Sequence, residues 1–300
     1  SCSVRSVVER RRRVRLVYLG SPAMAVGPLE ALHGAGHDIA LVVTNPPRRR
    51  SRRGAPVPTP VGERAAELGL EVSHDLADTT GVGAELGVVV AFGRLIPVEV
   101  LNAVPMVNLH FSLLPRWRGA APVERAILAG DETTGVCVMQ VEEGLDTGAV
   151  YARAEVSIGD RTTAAELREQ LTVVGSELLV KTLADGLGEA TAQSGDGVTY
   201  ASKLTNADRQ LHWEESAVEL VRIGGAWSTL EGRRLKILEA EPVSAADEVD
   251  AAPGTIDGVA VHCGSGALRL SRVQPEGRAA MDAADFLNGA RLSEGARLGT

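Results

Sequence analysis

Short apolar runs recur along the first two thirds of the chain, and most of them end at glycine, proline or a polar pair. These runs predict buried strands, and the segments between them predict helices. The expected strands are Leu16–Leu19, Ile39–Val43, Leu86–Phe92, the run up to His110, and Gly135–Val141, and the expected helices are 23–34, 60–69, 97–101, 123–130 and 164–186. The continuous apolar run Leu86–Phe92 is typical of a central strand in a parallel sheet. We therefore predict an α/β fold with a mostly parallel sheet.

The pattern changes at residues 195–206, where glycine and polar residues predict a linker. Beyond the linker, short strand-like runs separated by glycine and proline predict a small β-barrel; they are Leu235–Leu238, Gly254–Ile256, Val259–Val261 and Ala267–Leu270. The expected organisation is a basic N-terminal extension (1–15), a first domain (16–194), the linker (195–206) and a second domain (207–300). The extension contains four consecutive arginines, and we expect a disordered leader or a mis-assigned start.

Length and composition narrow the class of protein. Three hundred residues are enough for one or two domains with a large core. A formal net charge of −8 argues against nucleic-acid binding over the whole surface, but it is compatible with a local basic patch. Three widely separated cysteines show neither a metal-ligand spacing nor a disulfide framework, so we expect a reducing, cytoplasmic setting. No apolar run reaches the roughly 20 residues that a membrane-spanning helix needs.

The chemistry concentrates in the stretch Val107–Pro122, an apolar run that turns polar and then breaks at proline and glycine. Asn108 and His110 are two residues apart, so on a strand they project from one face. In open α/β sheets the carboxyl ends of strands are where ligands bind. Taken singly, such an asparagine or histidine, or Asp146 before a Thr-Gly pair, is more often structural. Their ordered combination favours a functional site.

The segments Asn108–His110, Ser112–Pro115 and Arg116–Pro122 closely resemble the folate-dependent formyltransferases, and Glu143–Gly148 is similar to a second motif of that family. The run Ser112–Pro122 looks in particular like the members that act on methionyl-tRNA. The resemblance implies a Rossmann-like mostly parallel sheet domain followed by a small OB-like β-barrel domain. It also implies transfer of a formyl group from 10-formyltetrahydrofolate to the amino group of initiator methionyl-tRNA, without a metal, a membrane or a stable protein partner.

By this resemblance the catalytic residues are Asn108, His110 and Asp146. Formyl transfer between nitrogens requires that a developing oxyanion be stabilised, that the attacking amine lose a proton and that the leaving nitrogen gain one. Asn108 would donate a hydrogen bond to the formyl oxygen, and His110 would donate to the same oxygen or relay a proton. Asp146 would orient His110 or activate a water. The sequence does not divide the proton steps between these two residues.

The resemblance also places folate against the loop that follows the strand. Backbone groups of Ser112, Leu113, Leu114 and Pro115 would position the folate, and the two leucine side chains would form an apolar wall. Main-chain groups of the turn Gly93–Pro97 would line the pterin pocket.

Three further features bear on a tRNA partner. The loop 48–53 contains five arginines, and its composition favours a solvated surface loop, whereas the family resemblance favours contact with the acceptor arm. The region from Thr205 onward is net acidic, with 10 Lys and Arg against 15 Asp and Glu. The chain also lacks several residues that the family normally has between Arg222 and Gly225, so we expect a shortened or rebuilt helix there.

Two other functions stay open. A formyltransferase on a small amine, such as an amino sugar nucleotide or glycinamide ribonucleotide, would share Asn108, His110 and Asp146. Such enzymes usually differ at residues 116–122 and lack a matching tail. The third alternative is a catalytically silent folate- or RNA-binding protein, and the intact set of three polar residues argues against it.

Overall fold

The computed structural model describes residues 12–49, 54–159, 162–243, 251–290, 292–293 and 295–299. The extension 1–15 and the basic loop 48–53 therefore lie partly outside the described residues. Backbone contacts divide the chain into two compact units. The first comprises the described residues up to Val123, together with Thr133–Ser157 and Ala165–Ser202. The second comprises Glu124–Glu132, the described part of 158–164 and the described residues from Lys203 onward.

The strands of the first unit include the five that the apolar runs predicted and six further short or edge strands among the described residues. They are β1 (Arg15–Gly20), β2 (Asp38–Val43), β3 (Arg48–Arg49), β4 (Pro56–Val57), β5 (Val72–Ser73), β6 (Leu86–Val90), β7 (Met106–His110), β8 (Arg118–Gly119), β9 (Thr133–Gln140), β10 (Val150–Ser157) and β11 (Tyr200–Ala201). Seven of them form one sheet with the order β10–β9–β7–β6–β1–β2–β5. β8 pairs with β11, and β3 pairs with β4.

Parallel pairing dominates the seven-stranded sheet. The neighbouring strands β7, β6, β1, β2 and β5 are parallel, whereas β9 runs antiparallel to β7 and β10 runs antiparallel to β9. The predicted mostly parallel sheet is thus confirmed. From β1 the chain builds β2 and β5 on one side and then β6 and β7 on the other. The strand order therefore reverses between β1 and β6, and at such a reversal an α/β sheet opens a crevice at its carboxyl edge.

Five α-helices are interleaved with these strands in the described residues: α1 (Val26–Gly34), α2 (Pro60–Glu67), α3 (Val98–Ala103), α4 (Pro122–Leu128) and α5 (Ala164–Asp185). Short 3₁₀ turns lie at Ala23–Ala25 and Ala77–Thr80. Their bounds follow local chemistry, as at α2, where the Thr59 hydroxyl accepts the N–H of Gly62 and caps the helix. Across the described residues, no helix has both the length and the apolar character that crossing a bilayer requires.

A close approach of α5 fixes which face of the sheet carries the polar residues. At Gly175 of α5 a Cβ would lie 3.0 Å from the Leu109 side chain, so the helix packs directly against β7. Side chains alternate along a strand, so Asn108 and His110 project from the face opposite Leu109. The buried side of α5 also carries Leu167 among several leucines, and full burial of one such side chain contributes about 1.5–3 kcal/mol.

The second unit is built on a six-stranded antiparallel sheet. Its labelled elements are α6 (Ala217–Val221), β12 (Trp227–Leu230), β13 (Arg233–Val243), β14 (Ile256–Asp257), β15 (Ala260–His262), β16 (Ala267–Pro275), β17 (Met281–Asp282) and α7 (Ala283–Gly289). The strand order is β12–β13–β16–β15–β14, and β17 pairs with β16. α6 has only five residues and begins with a capping box between Ser216 and Glu219. The helix in this region is therefore short, and a 3₁₀ turn at Ala207–Arg209 precedes it.

The named strands of the second unit form an open sheet, so a closed barrel is not present in the strand pairing of the described residues. Single bridges extend this pairing near the C-terminus. Leu298 bridges Leu230, the last residue of β12, and Arg297 bridges Thr255, which directly precedes β14. These bridges join one short segment to both edge strands of the sheet.

Candidate active site

Asn108 and His110 lie at the carboxyl end of β7, on one face of the sheet. In the register with β9, Asn108 is opposite Met139 and His110 is opposite Cys137, and Leu114 packs with Met139 and Cys137 in a buried cluster. Burial raises the pKa of the Cys137 thiol, so this cysteine packs as a neutral side chain and is not an activated nucleophile. His110 is 5% exposed, whereas Asn108 is half-buried, so the carboxamide is the more accessible of the two.

Asp146 reaches this pair from the loop after β9. Its φ is 50°, in the left-handed region that aspartate tolerates better than most residues. One carboxylate oxygen, Oδ1, lies 3.4 Å from Nδ2 of Asn108. The other, Oδ2, lies 3.6 Å from Nδ1 of His110 and accepts the N–H of Gly119 at 2.8 Å. The carboxamide, the imidazole and the carboxylate singled out from the sequence therefore lie together in one site.

The hydrogen bonds of His110 define which ring nitrogen can exchange a proton. Nε2 lies 2.9 Å from the carbonyl oxygen of Trp117. A carbonyl oxygen only accepts, so Nε2 must carry a hydrogen and donate it. Nδ1 is then the nitrogen that gains or loses the exchangeable proton, and it is the one that faces Asp146. The protonated ring would have donors on both sides, towards a carbonyl and towards a carboxylate.

The loop after β7 holds the Trp117 carbonyl in place. Trp117 has a φ of 62°, which is unusual for a bulky residue. Its N–H donates to the Thr199 hydroxyl at 2.8 Å, and the Ser112 hydroxyl donates to the carbonyl of Arg116 at 2.6 Å. The Arg116 guanidinium also lies 4.5 Å from the centre of the Trp117 ring. The contacts of Trp117 and its neighbour Arg116 thus hold an uncommon backbone conformation, and the Trp117 carbonyl held in this way orients the His110 ring.

The four residues expected to position folate lie in this loop. Ser112 is fully buried and Leu114 is 1% exposed, whereas Leu113 and Pro115 are half-buried. The side chain of Leu114 packs inward with Cys137, so an apolar wall at this loop is offered by Leu113 and not by Leu114. The four residues follow His110 closely in the chain, and Leu113, Leu114 and Pro115 lie in the turn closed by the Arg116 N–H and the Leu113 carbonyl.

A second polar cluster, which sequence analysis did not single out, lies after the ends of β1, β2 and β6. The Asn45 amide donates to the Ser21 hydroxyl at 2.9 Å and to the carbonyl of Phe92 at 3.2 Å. The buried Thr44 hydroxyl lies 3.3 Å from the same oxygen of Ser21. These bonds tie together the three loops on both sides of the strand reversal. In the sequence only a Thr-Asn-Pro turn marks this position, and that signal does not reveal its partners.

Gly119 is another residue to which sequence analysis gave no role. β8 pairs in parallel with β11, which aligns Gly119 with Ala201. The φ of Gly119 is 118°, a conformation open to glycine, and a Cβ there would lie 2.9 Å from the Ala201 carbonyl oxygen. Because Gly119 has no side chain, β8 can approach β11 closely while the N–H of Gly119 donates to the Asp146 carboxylate.

We expect Gly119→Ala to lower the free energy of unfolding by about 1–3 kcal/mol because of the φ value and the approach to Ala201. We also expect turnover to fall roughly tenfold or more, because the N–H that fixes Asp146 is displaced. Chemical denaturation measures the first effect, and the steady-state turnover rate measures the second. Gly34→Ala is the matched control, since a Cβ at Gly34 meets nothing within 4 Å and should leave both quantities near their original values. If the two variants had the same stability and the same turnover, the backbone geometry of Gly119 would have no role in either quantity.

An open α/β sheet with a carboxamide, an imidazole and a carboxylate at its carboxyl edge defines a site suited to acyl transfer. Comparison with known proteins identifies the family. Residues 13–183 match the family described as formyl transferase, and residues 203–291 match the formyl transferase C-terminal domain. The chain therefore belongs to the formyl transferase family, and the family expected from its motifs is confirmed.

Relatives span nearly the whole chain. A methionyl-tRNA formyltransferase of Roseobacter denitrificans is 46% identical over 303 residues, covering 94% of this chain and 98% of the relative. A methionyl-tRNA formyltransferase of Ruegeria pomeroyi is 44% identical, covering 95% of this chain and all of the relative. The solved structure of an N-formyltransferase from Helicobacter canadensis, with folinic acid and dTDP-3-aminofucose, has a TM-score of 0.67 at 17% identity. It covers 86% of this chain and 99% of its own, and it shares the fold.

Proposed function

We propose that this chain transfers the formyl group of 10-formyltetrahydrofolate to the α-amino group of initiator methionyl-tRNA in the cytoplasm. One observation carries the proposal: Asp146, from the loop after β9, lies 3.4 Å from Asn108 and 3.6 Å from His110, which both stand at the carboxyl end of β7. The similarity to methionyl-tRNA formyltransferases over almost the full length supports this choice of acceptor.

Each of the three side chains has a separate proposed role, which depends on the hydrogens it can donate or accept. Asn108 has two amide hydrogens, one directed at Asp146, and the other would stabilise negative charge on the formyl oxygen. The hydrogen on Nε2 of His110 is committed to the Trp117 carbonyl, so Nδ1 would take or give the proton during transfer. Asp146 would hold the ring when that nitrogen is protonated. The substrate amine is itself the nucleophile, so no covalent intermediate on the enzyme is required.

The loops at this edge offer groups of the kind that the formyl donor needs. Backbone groups of Ser112–Pro115 would position the folate, and Leu113 would supply apolar contact. The turn Gly93–Pro97 follows β6, the direct neighbour of β7 in the sheet, and its Leu95 is 89% exposed. An apolar side chain left in solvent at a sheet edge is suited to packing on a planar ring. The cluster around Asn45 holds this turn through the Phe92 carbonyl.

We propose that the second unit is an OB-like barrel. Support comes from the segment that contains Arg297 and Leu298, because its bridges to Thr255 and Leu230 join the two edge strands that the open sheet leaves apart. Closing a sheet in this way removes its unpaired edges. We further propose the domain bounds 16–194 and 207–300. The net acidic character of the second domain makes the loop 48–53 the stronger candidate for contact with tRNA phosphates.

Replacing the five arginines of the loop 48–53 by glutamine is expected to raise the KM for tRNA roughly tenfold at low salt and to weaken its salt dependence. The reason is that each lost arginine–phosphate contact reduces the number of counterions released on binding, and this release contributes to the affinity and to its salt dependence. Steady-state formylation at several salt concentrations measures both quantities. The five-lysine variant keeps the charge and should retain most of the affinity. An unchanged KM for tRNA in the glutamine variant would rule out this loop as the contact.

A formylation assay tests the function itself. The chain is offered 10-formyltetrahydrofolate with charged initiator tRNA, with a dTDP-amino sugar and with glycinamide ribonucleotide. We expect only the methionyl-tRNA to be formylated. Formylation of a small amine alone would replace the proposal by the small-molecule alternative, whose fold this chain shares. Binding of folate without formylation of any acceptor would indicate a silent binding protein.

A further inference from the structure

Gln193 lies in the segment after α5, at the start of the region that leads to β11, and its side chain forms four hydrogen bonds. Its amide nitrogen donates to the carbonyl oxygens of Asp146 and Gly148, both at 2.8 Å. Its amide oxygen accepts from Arg118, at 3.1 Å from Nε and 2.7 Å from a terminal nitrogen. A carboxamide has two hydrogens to donate and one oxygen with two lone pairs. The side chain of Gln193 is therefore fully used.

The four bonds connect the two loops on which the carboxylate depends. On one side they hold the main chain of Asp146, which sits in the left-handed conformation at a φ of 50°. On the other side they hold Arg118, the residue before Gly119, whose N–H binds the Asp146 carboxylate at 2.8 Å. Gln193 thus constrains the backbone of Asp146 directly and its carboxylate through β8.

We propose that Gln193 is a positioning residue that fixes the Asp146 carboxylate against His110 and Asn108. This inference rests on the proposed formyl transfer and deepens it. Gln193 contacts neither reacting group, because its donors and acceptor are committed to two carbonyls and a guanidinium. Its effect is to keep the 3.4 Å and 3.6 Å separations in the site, and a misplacement of about 1 Å can cost about a hundredfold in rate.

Gln193→Glu removes the hydrogen bonds to the Asp146 and Gly148 carbonyls while it keeps an acceptor for Arg118. The glutamate keeps an oxygen for Arg118 but replaces the donating nitrogen by an oxygen that faces two carbonyl oxygens. We expect kcat for methionyl-tRNA to fall roughly tenfold or more while KM for tRNA and for the formyl donor changes less than about threefold. Gln274→Glu is the matched control, because Gln274 is a half-buried glutamine of the second unit whose amide donates to a single carbonyl, that of Arg278. This control should leave kcat unchanged.

A double-mutant cycle distinguishes positioning from a general loss of structure. In the Asp146→Asn background, where the carboxylate is gone, Gln193→Glu should cost less than about threefold. Hydrogen exchange gives a second readout that needs no activity: peptides containing Gly119 should exchange faster in Gln193→Glu and not in Gln274→Glu. Equal rate losses in both backgrounds, or unchanged exchange with unchanged kcat, would overturn the inference. If the parent chain formylates no acceptor, the proposed function fails, and the exchange comparison still decides whether Gln193 holds this loop.

Discussion

Replacing His110 by alanine is expected to lower kcat for formyl transfer about a thousandfold, within the 10²–10⁴ range of general acid–base catalysis. The variant loses Nδ1, the ring nitrogen that faces Asp146 at 3.6 Å and can exchange a proton. Binding of the formyl donor should persist, because the groups proposed to hold it are those of Ser112–Pro115 and of the turn Gly93–Pro97, and the His110 ring is not among them. Single-turnover formylation of methionyl-tRNA measures the rate, and calorimetry with tetrahydrofolate measures the binding.

Two comparisons make the His110 experiment specific. His110→Gln keeps a donor that can reach the Trp117 carbonyl but cannot exchange a proton at neutral pH, so its rate should fall nearly as far as that of the alanine variant. His33→Ala removes an exposed histidine in the last turn of α1 and should leave turnover intact. Turnover of His110→Ala near that of the parent chain would remove His110 from the mechanism.

The sequence predicts the central sheet well because buried strands appear in it as continuous runs of apolar residues. Strands such as β6 are apolar on both faces, and β7 ends where polar residues and a Pro-Gly loop begin. The shared face of Asn108 and His110 follows from the period of a strand. β10 is the longest strand that the sequence does not predict, because it lies at the sheet edge, alternates half-buried and exposed positions over most of its length and carries no continuous apolar run.

The supports of the site could not be predicted in the same way. Thr199 and Gln193 lie in or next to the stretch expected to be a linker, and neither belongs to a periodic pattern. Their partners, Trp117 and Asp146, are 82 and 47 residues away in the chain. A single polar side chain that bonds across such distances leaves no local signal. Backbone contacts in the structure show that this stretch packs with the first unit as far as Ser202.

The environment of the Asp146 carboxylate follows from these supports. It accepts the N–H of Gly119 and faces the amide of Asn108 and the ring of His110. All three groups present hydrogens or a protonatable nitrogen, so the site is arranged around one negative charge. During transfer a second negative charge would develop on the formyl oxygen. Its stabilisation would need a hydrogen-bond donor that is not already bonded to the Asp146 carboxylate. Asn108 has that donor, because only one of its two hydrogens is directed at Asp146.

Asn108→Ala is therefore expected to lower kcat by about 10²–10³, the usual cost of removing one donor from an oxyanion site. KM for tRNA should change little, because the donor acts on charge that develops during the reaction. Asn108→Asp should be at least as impaired, since it places a second carboxylate about where Nδ2 lies 3.4 Å from Asp146. Rapid-quench formylation under saturating conditions measures the chemical step in both variants.

Asn102→Ala provides the matched control, because Asn102 is an exposed asparagine on α3 and its loss should leave the rate unchanged. If Asn108→Ala raised KM and left kcat intact, the amide would serve substrate binding and not the transition state. Negative charge would then have to be stabilised by a protonated His110 alone. In that case His110→Gln and the double variant with Asn108→Ala would have the same kcat, whereas two independent donors predict a further loss in the double variant.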